Sequence, residues 1–165
     1  MASLPIQYSL VIPLYNEAQR IPKTIEHIFA FAGQFSAPCE VIFVNDGSTD
    51  STLSVLEGYR ARYSFLIESY VENHGKGYAV RVGAKAARGA WIVFFDIDLA
   101  TPIETLSELH SSLTGTDAVV IGSRRANGAK IAQSESLLRV FLGQGFTRLS
   151  NVLVPGVTDF TCGFK

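Results

Sequence analysis

Short apolar runs alternate along this chain with longer segments whose apolar residues recur every three or four positions. The runs Tyr8–Leu14, Glu40–Val44, Phe65–Val71, Trp91–Phe95 and Asp117–Ile121 have the length and β-branched or aromatic content of buried strands. The segments between them read as helices: Glu17–Phe35, Asp50–Arg62, Gly77–Arg88 and Pro102–Leu113. In the first, Ile21, Ile25, Ile28, Phe29 and Ala32 share one face. The third carries small residues, Ala79, Gly83, Ala86 and Ala87, which allow close packing on a sheet. A last helix is expected over Ser136–Val154, where Leu137, Phe141, Leu149 and Leu153 are spaced for an amphipathic face with Arg139 and Arg148 interspersed. That face is expected to pack inward; the alternative is peripheral contact with a membrane surface.

Strict alternation of strand and helix predicts an α/β fold with a mainly parallel, Rossmann-like sheet covered by helices on both faces. Ligands of such sheets bind beyond the carboxyl ends of the strands, and the polar clusters of this chain fall there repeatedly. Composition narrows the class further. A length of 165 residues predicts one domain, 1–165. The net charge is −1 with no block of lysine and arginine, which gives no electrostatic case for nucleic acid. No apolar stretch reaches the roughly 18 residues of a membrane span, and Met1–Gln7 is too short and polar for a signal peptide. Cys39 and Cys162 are far apart and match no zinc spacing. Two free thiols fit a reducing compartment, so a cytoplasmic protein is expected.

The most informative polar cluster closes the run Trp91-Ile-Val-Phe-Phe-Asp-Ile-Asp98. Two carboxylates, Asp96 and Asp98, at the end of a buried strand repel each other and lose hydration unless something positive lies between them. Hard oxygen donors suit Mg2+ or Mn2+, and such a cation could carry a diphosphate. The plainer alternative is a strand end turning into solvent, with Asp98 capping the helix expected near Pro102. In Asp46-Gly47-Ser48-Thr49-Asp50, Gly47 allows a tight turn and Ser48 or Asp50 can cap the next helix, whereas Asp46 is placed to accept from a base N–H or a ribose hydroxyl. His74-Gly75-Lys76-Gly77 resembles a phosphate cradle without the full phosphate-loop pattern, which disfavours that ATPase class. Lys76 and Arg81 can still lend charge to a diphosphate, and His74 reads equally well as a solvated loop residue. In Gly122-Ser123-Arg124-Arg125, one arginine past a strand end can grip a phosphate. Asp159-Phe-Thr-Cys-Gly-Phe-Lys165, read alone, is a turn.

Taken in order, Val11-Ile-Pro-Leu-Tyr-Asn-Glu17, Val44-Asn-Asp-Gly-Ser-Thr-Asp50, Asn73-His-Gly-Lys-Gly-Tyr-Ala79, Asp96-Ile-Asp98, Gly122-Ser-Arg124 and Asp159-Phe-Thr-Cys-Gly-Phe-Lys165 resemble family 2 glycosyltransferases of the GT-A type. The Leu99-Ala-Thr-Pro102 continuation and the Cys-Gly-Phe-Lys ending are most similar to the dolichyl-phosphate (polyprenyl-phosphate) β-glucosyltransferase branch. The resemblance implies a metal-dependent, inverting transfer of a hexose from a nucleotide diphosphate sugar to a lipid phosphate. UDP-glucose is the favoured donor and GDP-mannose the alternative.

The resemblance also implies roles. Pro13, Tyr15 and Glu17 would line the nucleoside pocket, and Val44 and Asp46 would contact base and ribose. Asp96 and Asp98 would hold Mg2+ or Mn2+ with the diphosphate, and Lys76 and Arg124 would meet phosphate. Arg139 would help bind the acceptor phosphate, and Asp159 would lie near the acceptor as a catalytic candidate. Residues 8–100 would then bind the nucleotide sugar and 101–165 form the acceptor side. Relatives continue beyond the Gly-Phe-Lys motif, so an incomplete carboxyl-terminal part is expected.

The chain departs from the pattern at Asn45, where an acid is common, and at Ala100, where some mannosyl relatives have an extra metal ligand. Two other classes fit less well. A sugar-nucleotide pyrophosphorylase needs a Gly- and Lys/Arg-rich loop where Pro13-Leu-Tyr-Asn-Glu17 stands, and a response-regulator receiver needs a lysine where Gly122-Ser-Arg124 stands. A non-catalytic nucleotide-sugar-binding module stays open. With a lipid phosphate as acceptor, the expected site of action is the cytoplasmic face of a membrane.

Overall fold

The computed structural model describes residues 7–112, 120 and 164–165. The strand expected at Asp117–Ile121 (Val120 apart), the helix expected at Ser136–Val154, and Arg124, Arg139, Asp159 and Cys162 lie outside the described residues. The chain divides into two compact units, Met1–Thr114 and Gly115–Lys165, and the architecture below is that of the first.

Among the described residues four strands and four helices alternate: β1 (Tyr8–Leu14), α1 (Ile21–Gln34), β2 (Cys39–Asp46), α2 (Thr52–Tyr59), β3 (Leu66–Tyr70), α3 (Lys76–Ala86), β4 (Trp91–Phe94) and α4 (Thr105–Ser112). The strands form one sheet in the order β3-β2-β1-β4, with every pairing parallel. The α/β sheet expected from the alternation is therefore present. β1 and β2 are central and nearly wholly buried, which is why they are continuous apolar runs rather than alternating ones.

The pleat sends Val11, Ile42 and Val44 to one face, where they pack with Ala79 of α3. Gly83 is the closest point of that contact. A Cβ there would collide with the Val11 side chain and sit 2.9 Å from Val44 Cγ2. The small residues of α3 thus let the helix rest directly on β1 and β2. On the other helix surface available to β2, α1 contributes Ile21, Ile25 and Ile28, all fully buried.

The amino edge of the sheet is closed by a polar lock. Glu40, at the start of β2, is buried and accepts from Ser9 Oγ (2.6 Å), the Arg88 main-chain N–H (2.7 Å) and the Arg88 guanidinium (2.7 and 3.0 Å). Burial alone would raise its pKa. The Ser9 and Arg88 hydrogen bonds, with the guanidinium charge, outweigh burial and lower it. The Gly89 N–H donates to Ser9 Oγ and completes the network. Cys39 is a free thiol with its pKa pushed up to about 11 by burial. Among the described residues no helix is long and apolar enough to cross a membrane.

Candidate functional site at the carboxyl edge

Three loops leave the carboxyl ends of β1, β2 and β4, and a fourth enters α3 beside them. The first two are tied together by side-chain to main-chain hydrogen bonds. Asn16 takes a left-handed conformation (φ 55°), which asparagine tolerates better than most residues. Its Oδ1 accepts from the main-chain N–H groups of Thr49 (2.8 Å) and Asp50 (3.3 Å). In return, the N–H groups of Asn16, Glu17 and Ala18 donate to Ser48 Oγ, Thr52 Oγ1 and Asp50 Oδ2.

This lacing changes two expectations. The helix expected from Glu17 begins at Ile21, because the left-handed Asn16 and the turn closed by Glu17 C=O with the Arg20 and Ile21 N–H groups occupy the intervening residues. Neither Ser48 nor Asp50 is the N-cap of α2. Ser51 holds that place without a side-chain cap, while Asp50 accepts from the Thr52 N–H (2.9 Å) and Ala18 N–H.

Asp46, the last residue of β2, is buried. Its Oδ1 accepts from the His74 main-chain N–H (2.8 Å) and its Oδ2 from Asn73 Nδ2 (3.1 Å), while the Asp46 carbonyl also accepts from Asn73 Nδ2 (3.0 Å). Asp46 therefore fixes the loop leading to Lys76. Gly47 follows in a left-handed turn (φ +63°), and a Cβ on it would lie 2.6 Å from the Asn73 nitrogen, so the two loops touch backbone to backbone. The His74 ring lies 4.6 Å from that of Tyr78 and 5.7 Å from that of Tyr70, and Arg81 covers the Tyr78 ring. The Tyr70 hydroxyl is buried and finds no hydrogen-bond partner among the described residues. Burial first, then the Asp46 carboxylate, raise its pKa.

At β4 the strand ends at Phe94, Ile97 is buried, and a turn closes with the Leu99 N–H donating to Asp96 C=O (3.1 Å). Leu99 holds φ 50°, a costly conformation for a leucine. Asp98 is exposed. Rather than capping α4, which starts only at Thr105, it accepts from the Ala100 N–H (3.0 Å). Asp96 pairs with Lys76 Nζ at 2.6 Å. In this structure the first residue of α3 is thus the positive partner of Asp96.

Pro13, Tyr15, Glu17, Asp46, Lys76, Asp96 and Asp98 thus all occupy one rim of one sheet. Tyr15 is 48 % exposed there, and the Glu17 carboxylate is held by Arg20 (2.7 and 2.9 Å). Val44 is different. Its side chain is fully buried against α3, so the contact expected between it and a nucleoside is closed to that side chain. Asn16 and Asn73, which organise the rim, stood inside the sequence motifs without an assigned role. An asparagine two or three residues past a strand end and beside Glu is the signal that could have marked them. Among the described residues, a hollow of about 390 Å³ is lined by Arg60, Arg62, Tyr63 and Phe65, at the amino end of β3 and away from this rim.

No cluster of three His, Cys, Asp or Glu side chains occurs among the described residues. The donor set Asp96 and Asp98 still fits a magnesium- or manganese-like cation, which commonly takes one or two carboxylates and completes its shell from water and phosphate oxygens.

The model of glycosyl transferase family 2 matches residues 9–165. A dolichyl-phosphate beta-glucosyltransferase of Drosophila melanogaster is 35% identical over 97% of this chain and 54% of its own length. The chain spans about half the length of the curated relatives it matches. A Pyrobaculum calidifontis mannosyltransferase, solved in complex with GDP-Man and Mn2+, superposes with a TM-score of 0.53 and 25% identity over 63% of this chain and 32% of that one. S. aureus TarS in complex with UDP gives 0.53 and 27% over 64% and 31%.

Proposed function

Because the chain belongs to glycosyl transferase family 2, we propose that it takes part in metal-dependent transfer of glucose from UDP-glucose to dolichyl or another polyprenyl phosphate, with inversion at the anomeric carbon. The observation that carries this reading is the convergence of Asp46, Lys76, Asp96 and Asp98 on one carboxyl edge, in a chain 35% identical to a dolichyl-phosphate beta-glucosyltransferase. Pro13, Tyr15 and Glu17 flank the nucleoside, and Asp46, whose carboxylate oxygens already hold the Asn73–His74 loop, is assigned to the base or ribose through its remaining acceptor capacity. Asp96 and Asp98 hold the cation, which when bound lends positive charge to the leaving diphosphate. From the motif resemblance we also assign phosphate contact to Arg124, acceptor-phosphate contact to Arg139 and an acceptor-side role to Asp159. The acceptor phosphate is already anionic near neutral pH and needs no strong general base, so the residues chiefly position the reactants. Direct attack on the anomeric carbon inverts it. The acceptor is a membrane lipid, so transfer takes place at a membrane surface, with the cytoplasmic face favoured. A second reading, a GDP-mannose donor, draws on the likeness to the mannosyltransferase.

The test is transfer of glucose from UDP-glucose to dolichyl phosphate with saturating Mn2+. Asp98→Ala is expected to lower the rate by at least roughly 100-fold with an unchanged circular dichroism spectrum, since Asp98 is exposed. A full rate in the variant would overturn the assignment.

A further inference from the structure

Lys76 and Asp96 form a contact that the transferase reading does not itself require. The ammonium sits 2.6 Å from Asp96 Oδ1, with the two side chains 49% and 41% exposed. An ion pair this open to water is weak and exchanges readily. Lys76 is anchored at its main chain, because it opens α3 directly after the left-handed Gly75 and two residues after His74, whose N–H is held by Asp46. Its long stem can therefore move the charge while its base stays fixed.

The geometry points to Lys76 as a mobile counter-ion that holds the place of the divalent cation on Asp96 and passes to the diphosphate when nucleotide and cation arrive together. This rests on the reading that the rim binds a nucleoside diphosphate with a divalent cation. Lys76 neutralises one of two neighbouring carboxylates and so opposes a bare dication, because any cation on Asp96 must displace or face an ammonium. A diphosphate reverses the sign. It brings negative charge that draws Lys76 off Asp96, which frees the carboxylate for the cation while the lysine neutralises phosphate oxygens. Lys76 would thus couple the two ligands and disfavour cation alone.

The consequence is a pair of effects of opposite sign at one residue. In Lys76→Gln, Mn2+ alone is expected to bind about three- to ten-fold more tightly, and UDP in the presence of Mn2+ about three- to ten-fold more weakly, both judged from one charge at close range in a solvated site. Lys76→Arg, which keeps the charge, should stay near the parent in both. The whole 165-residue chain serves for all measurements, with free Mn2+ followed by its paramagnetic resonance signal and UDP by calorimetry. A matching melting temperature for the three proteins excludes a folding effect. If Lys76→Gln binds Mn2+ alone no better than the parent while the parent binds UDP with Mn2+, the counter-ion assignment is overturned and the binding rim stands. If the parent binds no UDP with Mn2+, both fall.

Discussion

Glu40 shows how much a single buried carboxylate can organise. It accepts from a hydroxyl, a main-chain N–H and a guanidinium at the amino edge of the sheet, and its pKa is held below the ordinary range. A group whose folded pKa is depressed binds its proton less readily in the folded state. Its contribution to stability is therefore complete above the unfolded value of about 4.3 and fades as pH falls through the lower folded value. Glu40→Gln is expected to cost about 1–3 kcal/mol near neutral pH, since charge-assisted hydrogen bonds are weakened or lost. In urea titrations the difference from the parent should shrink below about pH 4; a gap independent of pH would contradict the ionic account. At the opposite edge, Asp46 and Asn16 play comparable organising parts by accepting main-chain N–H groups of neighbouring loops. These partners were hidden in the sequence because each bond spans about thirty residues, whereas local pattern reveals only near neighbours. The acids Asp46, Asp96 and Asp98 were legible because a charge that ends an apolar run stands out against its surroundings.

Among the elements, all eight described ones were legible as to kind and order. The strands and α3 begin within one residue of the expected positions, but the starts of the other three helices were not legible. α1, α2 and α4 begin two to four residues later than the apolar period suggests, because turns and loop-to-loop bonds use the first polar residues before the helix can. α3 was legible in a further respect, its small-residue face. A methyl at Gly83 would press on Val11 and Val44, so Gly83→Ala should destabilise by about 1–3 kcal/mol despite the better helix propensity of alanine. Chemical denaturation measures this directly, and a stabilised variant would show that α3 has room to lift from the sheet. In that case the lift would also move Lys76, and UDP binding would weaken.

For the whole molecule, a parallel sheet brings the ends of four successive strands to one edge, and that gathering makes seven scattered residues into one rim. Ligand binding to the folded form should appear as stabilisation. UDP at about one hundred times its dissociation constant adds about 2.7 kcal/mol, roughly 5–10 °C in melting temperature for a chain of this size. The shift is expected with Mn2+ present, to be smaller without it, and to be larger for UDP than for GDP. A larger shift with GDP would move the donor assignment to the mannose reading.

What the sequence determined by itself is the alternation of elements, the parallel sheet that such alternation demands, and the chemical kind of the groups at its carboxyl edge. All three depend on periodicity and on polar residues interrupting apolar runs, which are local properties of a chain. The tertiary structure alone decided that Val44 is spent on the core, that Asn16 and Asn73 hold the loops, and that Lys76 meets Asp96. Those outcomes depend on which distant segments the sheet order places side by side, and hydrogen bonds and ion pairs act only over a few ångströms once they are there.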